Sequence, residues 1–80
     1  MMEKLEDLLR LLARSLVDNP DEVEVTGEEN GSRIHLELRV ADDDMGKVIG
    51  RQGRTVKAIR TVVKAASVRM EKRVNVEVVD

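Results

Sequence analysis

Met45-Gly46-Lys47-Val48-Ile49-Gly50-Arg51-Gln52-Gly53-Arg54-Thr55-Val56-Lys57-Ala58-Ile59-Arg60 is the stretch on which the fold turns. Two glycines, Gly50 and Gly53, bracket two polar residues, and apolar-periodic segments lie on both sides. Neither glycine carries a Cβ, so the backbone there is free to bend sharply and to approach another molecule closely. From Arg54 to Met70 the apolar positions Val56, Ile59, Val62, Val63, Ala66 and Met70 recur at intervals of three and four, which predicts a helix. The loop therefore sits at a helix N-terminus, where unpaired N–H groups and the macrodipole favour an anion. Arg51, Arg54 and Lys57 add side-chain charge at the same place. A phosphate is the anion these features fit best.

Outward from the loop, Asp42-Asp43-Asp44 leads into a short helix from Asp43 to Ile49, with any of the three acids suited to its N-cap. Before it, Ser32 to Val40 is the clearest strand: Ile34, Leu36, Leu38 and Val40 alternate with Arg33, His35, Glu37 and Arg39. One face of that strand is buried and the other wet, as in a sheet covered by helices on one side. A turn at Glu28-Glu29-Asn30-Gly31, carrying the Asn-Gly hairpin signal, joins it to a strand over Glu22 to Gly27 with Val23 and Val25 on one face. Glu3 to Val17 reads as an amphipathic helix whose stripe is Leu5, Leu8, Leu9, Leu12, Ala13 and Leu16. Leu11 and Val17 lie off that stripe, placed either to widen the buried face or to meet a partner. Asn19-Pro20 ends the helix, because proline disfavours helical geometry in the residue before it. After the long helix comes a link at Glu71-Lys72 and a third strand, Arg73 to Val79, with Val74, Val76 and Val78 on one face. The expected class is α+β, in the order α-β-β-α-α-β, with three helices on one face of a three-stranded sheet.

Eighty residues predict one domain with a modest core. The chain has no Phe, Trp or Tyr, so Leu, Ile, Val, Ala and Met must fill that core, and no aromatic ring is present to stack on a base. Without Cys there is neither a disulfide nor a thiolate metal site. No apolar run approaches the ~20 residues of a membrane span, and acids interrupt the first helix, so it does not read as a signal peptide. A cytoplasmic location is the expectation. The net charge of −2 conceals a division: residues 1–45 sum to −8, whereas residues 46–73 sum to +8. A ligand meets that local field rather than the average.

Val48-Ile49-Gly50-Arg51-Gln52-Gly53-Arg54-Thr55-Val56-Lys57-Ala58-Ile59-Arg60 resembles the signature of KH domains: an apolar pair, Gly-x-x-Gly, then a basic and apolar helix. The element order resembles the type II arrangement, and the likeness spans essentially all of the chain. Among type II members it is most similar to the small stand-alone bacterial KH proteins of the KhpA kind. The resemblance implies a non-enzymatic RNA-binding module with no cofactor, whose loop clamps the backbone of about four nucleotides. On that reading Gly50, Arg51, Gln52 and Gly53 hold phosphate, with Lys47, Arg54 and Lys57 attracting it. Unpaired bases would enter a groove floored by Val48, Ile49, Val56 and Ile59 on the helix side and Leu38 or Val40 on the strand side. The alternative for these six residues is that they fill the core. The resemblance further implies an RNA chaperone or post-transcriptional regulator linked to cell-envelope growth or ribosome maturation. Its partners would be single-stranded RNA and either a second copy or a larger KH-containing protein, with no membrane and no small-molecule substrate.

Two other readings stay open: a protein-interaction module that kept the fold without nucleic-acid binding, and a binder of single-stranded DNA. A ligand-free helix–helix turn would need only Gly50 as a helix cap, which leaves Gly53 and the exposed Arg51-Gln52 pair without a purpose. The Asp42–Asp44 triplet suits capping better than a metal shell, because three adjacent acids cannot all face one ion from a helix start. His35 alternates onto the wet strand face and is expected to be solvated. No nucleophile–base pair and no phosphate-binding Gly-x-x-x-x-Gly-Lys-Ser/Thr loop is present.

Overall fold

A computed structural model describes residues 2–79. Three helices, α1 (Met2–Leu16), α2 (Met45–Ile49) and α3 (Arg54–Val68), accompany three strands, β1 (Glu24–Asn30), β2 (Arg33–Arg39) and β3 (Arg73–Val79). Short 3₁₀ segments at Pro20–Glu22, Asp42–Asp44 and Arg51–Gly53 complete the order α-β-β-α-α-β expected for a type II KH fold. The sheet order is β1-β2-β3. β1 pairs antiparallel with β2, whereas β2 pairs parallel with β3. A parallel pair needs a long crossover, and α2, the glycine loop and α3 supply it. The loop that decides the fold therefore lies on the connection between two neighbouring strands.

Alternation along β2 does what its pattern requires. Ile34, Leu36, Leu38 and, just past the strand, Val40 are buried, and Val23, Val25, Val74 and Val76 extend the same layer. Leu5, Leu9 and Ala13 of α1, Val48 of α2, and Ile59 and Val63 of α3 cover it. With no aromatic volume to draw on, truncating any of the fully buried leucines costs roughly 2–5 kcal/mol.

Several boundaries move from their expected places, each for a local reason. Pro20–Glu22 forms a 3₁₀ turn, so β1 starts at Glu24. Glu28 and Glu29 then stay in register opposite His35 and Ile34, and Asn30 pairs with Arg33. The two-residue connection is thus Gly31-Ser32, one position later than the expected turn, with Gly31 at φ +63 as its first central residue. Glycine at that position is the signature of a II′ hairpin. On α3, Val62 is 45% exposed and Ser67 is buried in its stead, so the inward stripe is Val56, Ile59, Val63 and Ser67. On α1, Leu16 is likewise 39% exposed, although the spacing assigned it to the stripe. Val17 packs against the core, and Leu11 is 63% exposed.

α3 stops at Val68, not Met70. Glu71 adopts φ +56, its N–H bonds the Val68 carbonyl at 3.1 Å, and the Lys72 N–H bonds the Ser67 carbonyl at 3.2 Å. That pair of bonds is a Schellman motif with glutamate in the left-handed position usually given to glycine. Lys72 then ties the start of β3 to the hairpin: its ammonium donates to Glu29 Oε2 at 2.7 Å and to the Gly31 carbonyl at 2.8 Å. The hydrogen bond and charge of Lys72 hold the Glu29 carboxyl below its ordinary value.

Candidate nucleic-acid interface

The glycine loop is built by two backbone conformations that few residues other than glycine adopt. Gly50 ends α2 at φ 76, ψ 172, a region open essentially to glycine alone. A Cβ there would lie 2.6 Å from Thr55 Cβ and 2.8 Å from Thr55 N, so α3 packs its first turn directly on Gly50. Gly53 sits at φ 75, ψ 13 and faces open space. Between them Gln52 is also left-handed, at φ 58, ψ 26. A non-glycine residue held there costs on the order of 1–3 kcal/mol and persists only where its surroundings enforce it.

The turn uses two of its own amides. Gly50 N–H donates to the Gly46 carbonyl at 2.9 Å and Gly53 N–H to the Gly50 carbonyl at 3.1 Å. Among the described residues no carbonyl accepts from the amides of Arg51 or Gln52, and no side chain caps α3. Arg51 and Gln52 are exposed, Gly53 is half-buried, and Arg54 and Lys57 are exposed on the first turns of α3. None of the ion pairs among the described residues involves Arg51, Arg54 or Lys57. Lys64 stands seven residues after Lys57, hence on the same side of α3, and is exposed too. A basic stripe thus runs from the loop along the wet face of the helix. The same heptad spacing is visible in the sequence, although Lys64 lies about three turns beyond Gly53.

Lys47 is placed differently. Its ammonium is bonded to Asp18 Oδ2 at 2.7 Å and lies 3.4 Å from Asp44 Oδ1. The hydrogen bond it donates to Asp18 leads the causes that raise its pKa above 10.5, against a smaller opposing effect of burial. Asp44 is the residue that sequence reasoning misjudged. It makes no side-chain cap on α2; it is fully buried. Its Oδ1 accepts the Asp18 N–H at 3.1 Å, and its Oδ2 accepts the Asn19 N–H and side-chain amide, each at 3.0 Å. Burial opposes its ionisation, but those bonds and Lys47 outweigh it and hold the carboxyl below its ordinary 3.8. Asp44 therefore pins the segment leaving α1, at Asp18 and Asn19, to the start of α2, the helix that ends in the loop. An acid triplet in sequence carries no sign of which member turns inward.

The six residues expected to floor a groove are divided sharply by burial. Leu38 and Val48 are 0% exposed, and Val40, Val56 and Ile59 are buried as well. They fill the core of a small domain that has only aliphatic side chains to do so. Ile49 alone is half-exposed, beside Gly50. Arg60 Nε is used internally, donating to the Val76 carbonyl at 3.0 Å. His35, expected to be solvated, is half-buried on the open face of the sheet.

Comparison with known proteins fits this geometry. The family model described as the KhpA/KhpB KH domain matches residues 6–78. The RNA-binding protein KhpA of Clostridium acetobutylicum is 60% identical over 78 residues, covering 94% of this chain and 100% of that protein. The RNA-binding protein KhpA of Bacillus subtilis is 50% identical over 78 residues, covering 98% of this chain and 96% of its own. Among solved structures, Era of Aquifex aeolicus bound to GDP and aluminium fluoride superposes with a TM-score of 0.67 at 20% identity. That match covers 95% of this chain but 31% of Era, so it speaks for the fold alone.

Proposed function

The chain belongs to the KhpA/KhpB family of KH domains, and from that premise we propose that it is a non-enzymatic binder of single-stranded RNA, gripping the phosphate backbone at Gly50–Gly53. The observation that carries this reading is the pair of unclaimed amides at Arg51 and Gln52, set at an uncapped helix N-terminus beside three unpaired cations. Phosphate oxygens would accept from those amides, and the α3 dipole and Arg51, Arg54 and Lys57 would hold the charge. Lys47 acts indirectly, by pinning α2. Base contact falls to Ile49 and to hydrogen bonds with base edges, which gives modest affinity and loose sequence preference in a chain without aromatic stacking. The relatives' names carry RNA as the ligand; a single domain acting in the cytoplasm as an RNA chaperone or post-transcriptional regulator, tied to envelope growth or ribosome maturation, is the fuller form of the proposal.

A KH-containing partner, either a second copy or a larger chain, belongs to the same proposal. Leu11 and Val68, 63% and 72% exposed, are the most exposed large apolar side chains among the described residues. Sedimentation of the parent and of a Leu11→Glu, Val68→Glu variant measures that association.

The deciding experiment is fluorescence anisotropy with an unstructured oligoribonucleotide. Gly53→Asp places a carboxylate at the loop in open space, and binding should fall at least about tenfold while the circular dichroism spectrum is kept. Unchanged affinity in that variant would remove the loop from the mechanism. The matching oligodeoxyribonucleotide separates RNA from DNA, since only the 2′-OH differs.

A further inference from the structure

The face of the sheet turned away from the helices carries a cluster that RNA binding at the loop does not use. His35 and Glu37 stand two apart on β2 and so point the same way, and Glu77 stands directly opposite Glu37 on β3. His35 Nε2 lies 3.5 Å from Glu37 Oε2 and 3.5 Å from Glu77 Oε2. One ligand atom from each of the three residues lies within 4.8 Å of the other two. Those imidazole–carboxylate separations are long for a hydrogen bond, but they match the ~3.4 Å edge of a tetrahedron whose Zn–N and Zn–O bonds are ~2.1 Å. Two carboxylates placed directly opposite on neighbouring strands also repel each other, and a cation between them reverses the sign of that pairing. Asn75, next to His35 across the strands, has its side-chain amide 3.0 Å from His35 Nδ1. In this geometry the amide nitrogen faces Nδ1 and donates to it; with the amide turned about its Cβ–Cγ bond, its oxygen accepts from Nδ1–H and the lone pair of Nε2 is left free for a metal, the outer-shell arrangement common to histidine ligands.

We propose that His35, Glu37 and Glu77 form a surface site for a divalent transition metal of the zinc type, with Asn75 orienting the imidazole. One imidazole and two carboxylates select Zn²⁺ and its neighbours over Mg²⁺ and Ca²⁺, which favour all-oxygen shells of higher coordination number. The ligands stand on the central strand and its parallel neighbour, two rigid elements that hold the spacing before metal arrives. Glu28, paired with His35 from β1, adds negative charge to the same face.

The test is titration of tag-free full-length protein with zinc chloride, followed by calorimetry and by the ¹⁵N shift of His35 Nε2. One equivalent should bind saturably with a large Nε2 shift, and an equal concentration of Mg²⁺ should not compete. His35→Ala and Glu77→Gln should each abolish the saturable phase, Asn75→Ala should weaken it by about tenfold or more, and Gly53→Asp should leave it unchanged. All four positions are exposed or half-exposed, so an unaltered melting curve in chelator certifies the variants' folds. Absence of saturable binding, or binding that survives His35→Ala, overturns the site. Neither result touches the reading of the glycine loop, which lies on another part of the fold.

Discussion

What an added Cβ would meet separates two glycines that look equivalent in the motif. Gly50 is needed by the protein itself: its conformation is closed to other residues, and Thr55 occupies the space a side chain would take. Gly53 has a milder left-handed conformation and open space around it. Gly50→Ala should therefore lower the melting midpoint by ~10 °C or more in thermal unfolding, the strain and the clash together being worth several kcal/mol, and any loss of RNA affinity in it reports a damaged loop. Gly53→Asp is the clean probe. Asp44 acts at the same scale but on stability. Its carboxyl titrates below 3.8 in the folded protein because four donors reach a buried carboxylate. A depressed folded-state value contributes stability that is fully present above the unfolded-state pKa and is lost as pH falls through the folded one. The parent should thus hold its melting midpoint down to about pH 4 and lose it progressively below. Asp44→Asn, which keeps the shape but sets an amide N–H₂ against one of those donors, should be several degrees less stable at pH 7. The gap to the parent should narrow below pH 4 in a pH series of melting curves.

At the scale of elements, β2 and β3 were legible because their apolar residues alternate without a break, and α1 because its leucines recur at helical spacing. What failed were edges and single faces. Val62 and Val63 are adjacent, and periodicity cannot say which of two neighbouring valines turns inward; Val63 is buried in the core, while Val62 is 45% exposed. The end of α3 was hidden because its capping residue is Glu71, and a glutamate at φ +56 has no compositional signal. That position carries a removable cost. The left-handed conformation costs a non-glycine residue ~1–2 kcal/mol, while glycine gives back part of the gain through its freer unfolded chain. Glu71→Gly should stabilise the protein by about 0.5–1 kcal/mol, measured by urea unfolding with an unchanged m-value. A loss of stability would mean that the Glu71 side chain contributes more than its backbone costs.

Across the whole molecule, the basic half of the sequence does not leave every one of its cations available to a ligand. The position of the loop at the head of α3 followed from residue types alone. The commitment of Lys47 to Asp18 and Asp44 did not, since those partners lie 29 and 3 residues away and only the packing of α2 against the α1 exit joins them. Arg60 was likewise lost to the edge of β3. Three cations, Arg51, Arg54 and Lys57, remain beside the loop, and under the proposed function this number sets the salt response. Each phosphate neutralised on a single strand contributes a slope of about −0.7 in log K against log salt, so three contacts give about −2, a loss on the order of twentyfold between 50 and 200 mM. Arg51→Gln, Arg54→Gln and Lys57→Gln should each make the slope shallower by ~0.7. Lys47→Gln should leave the slope as it is and lower the melting temperature instead, because its charge already belongs to Asp18 and Asp44. Anisotropy titrations of one oligoribonucleotide at four salt concentrations, run beside thermal melts, distinguish the two classes. A shallower slope in Lys47→Gln would return that residue to the ligand and show that RNA can draw it away from its carboxylates.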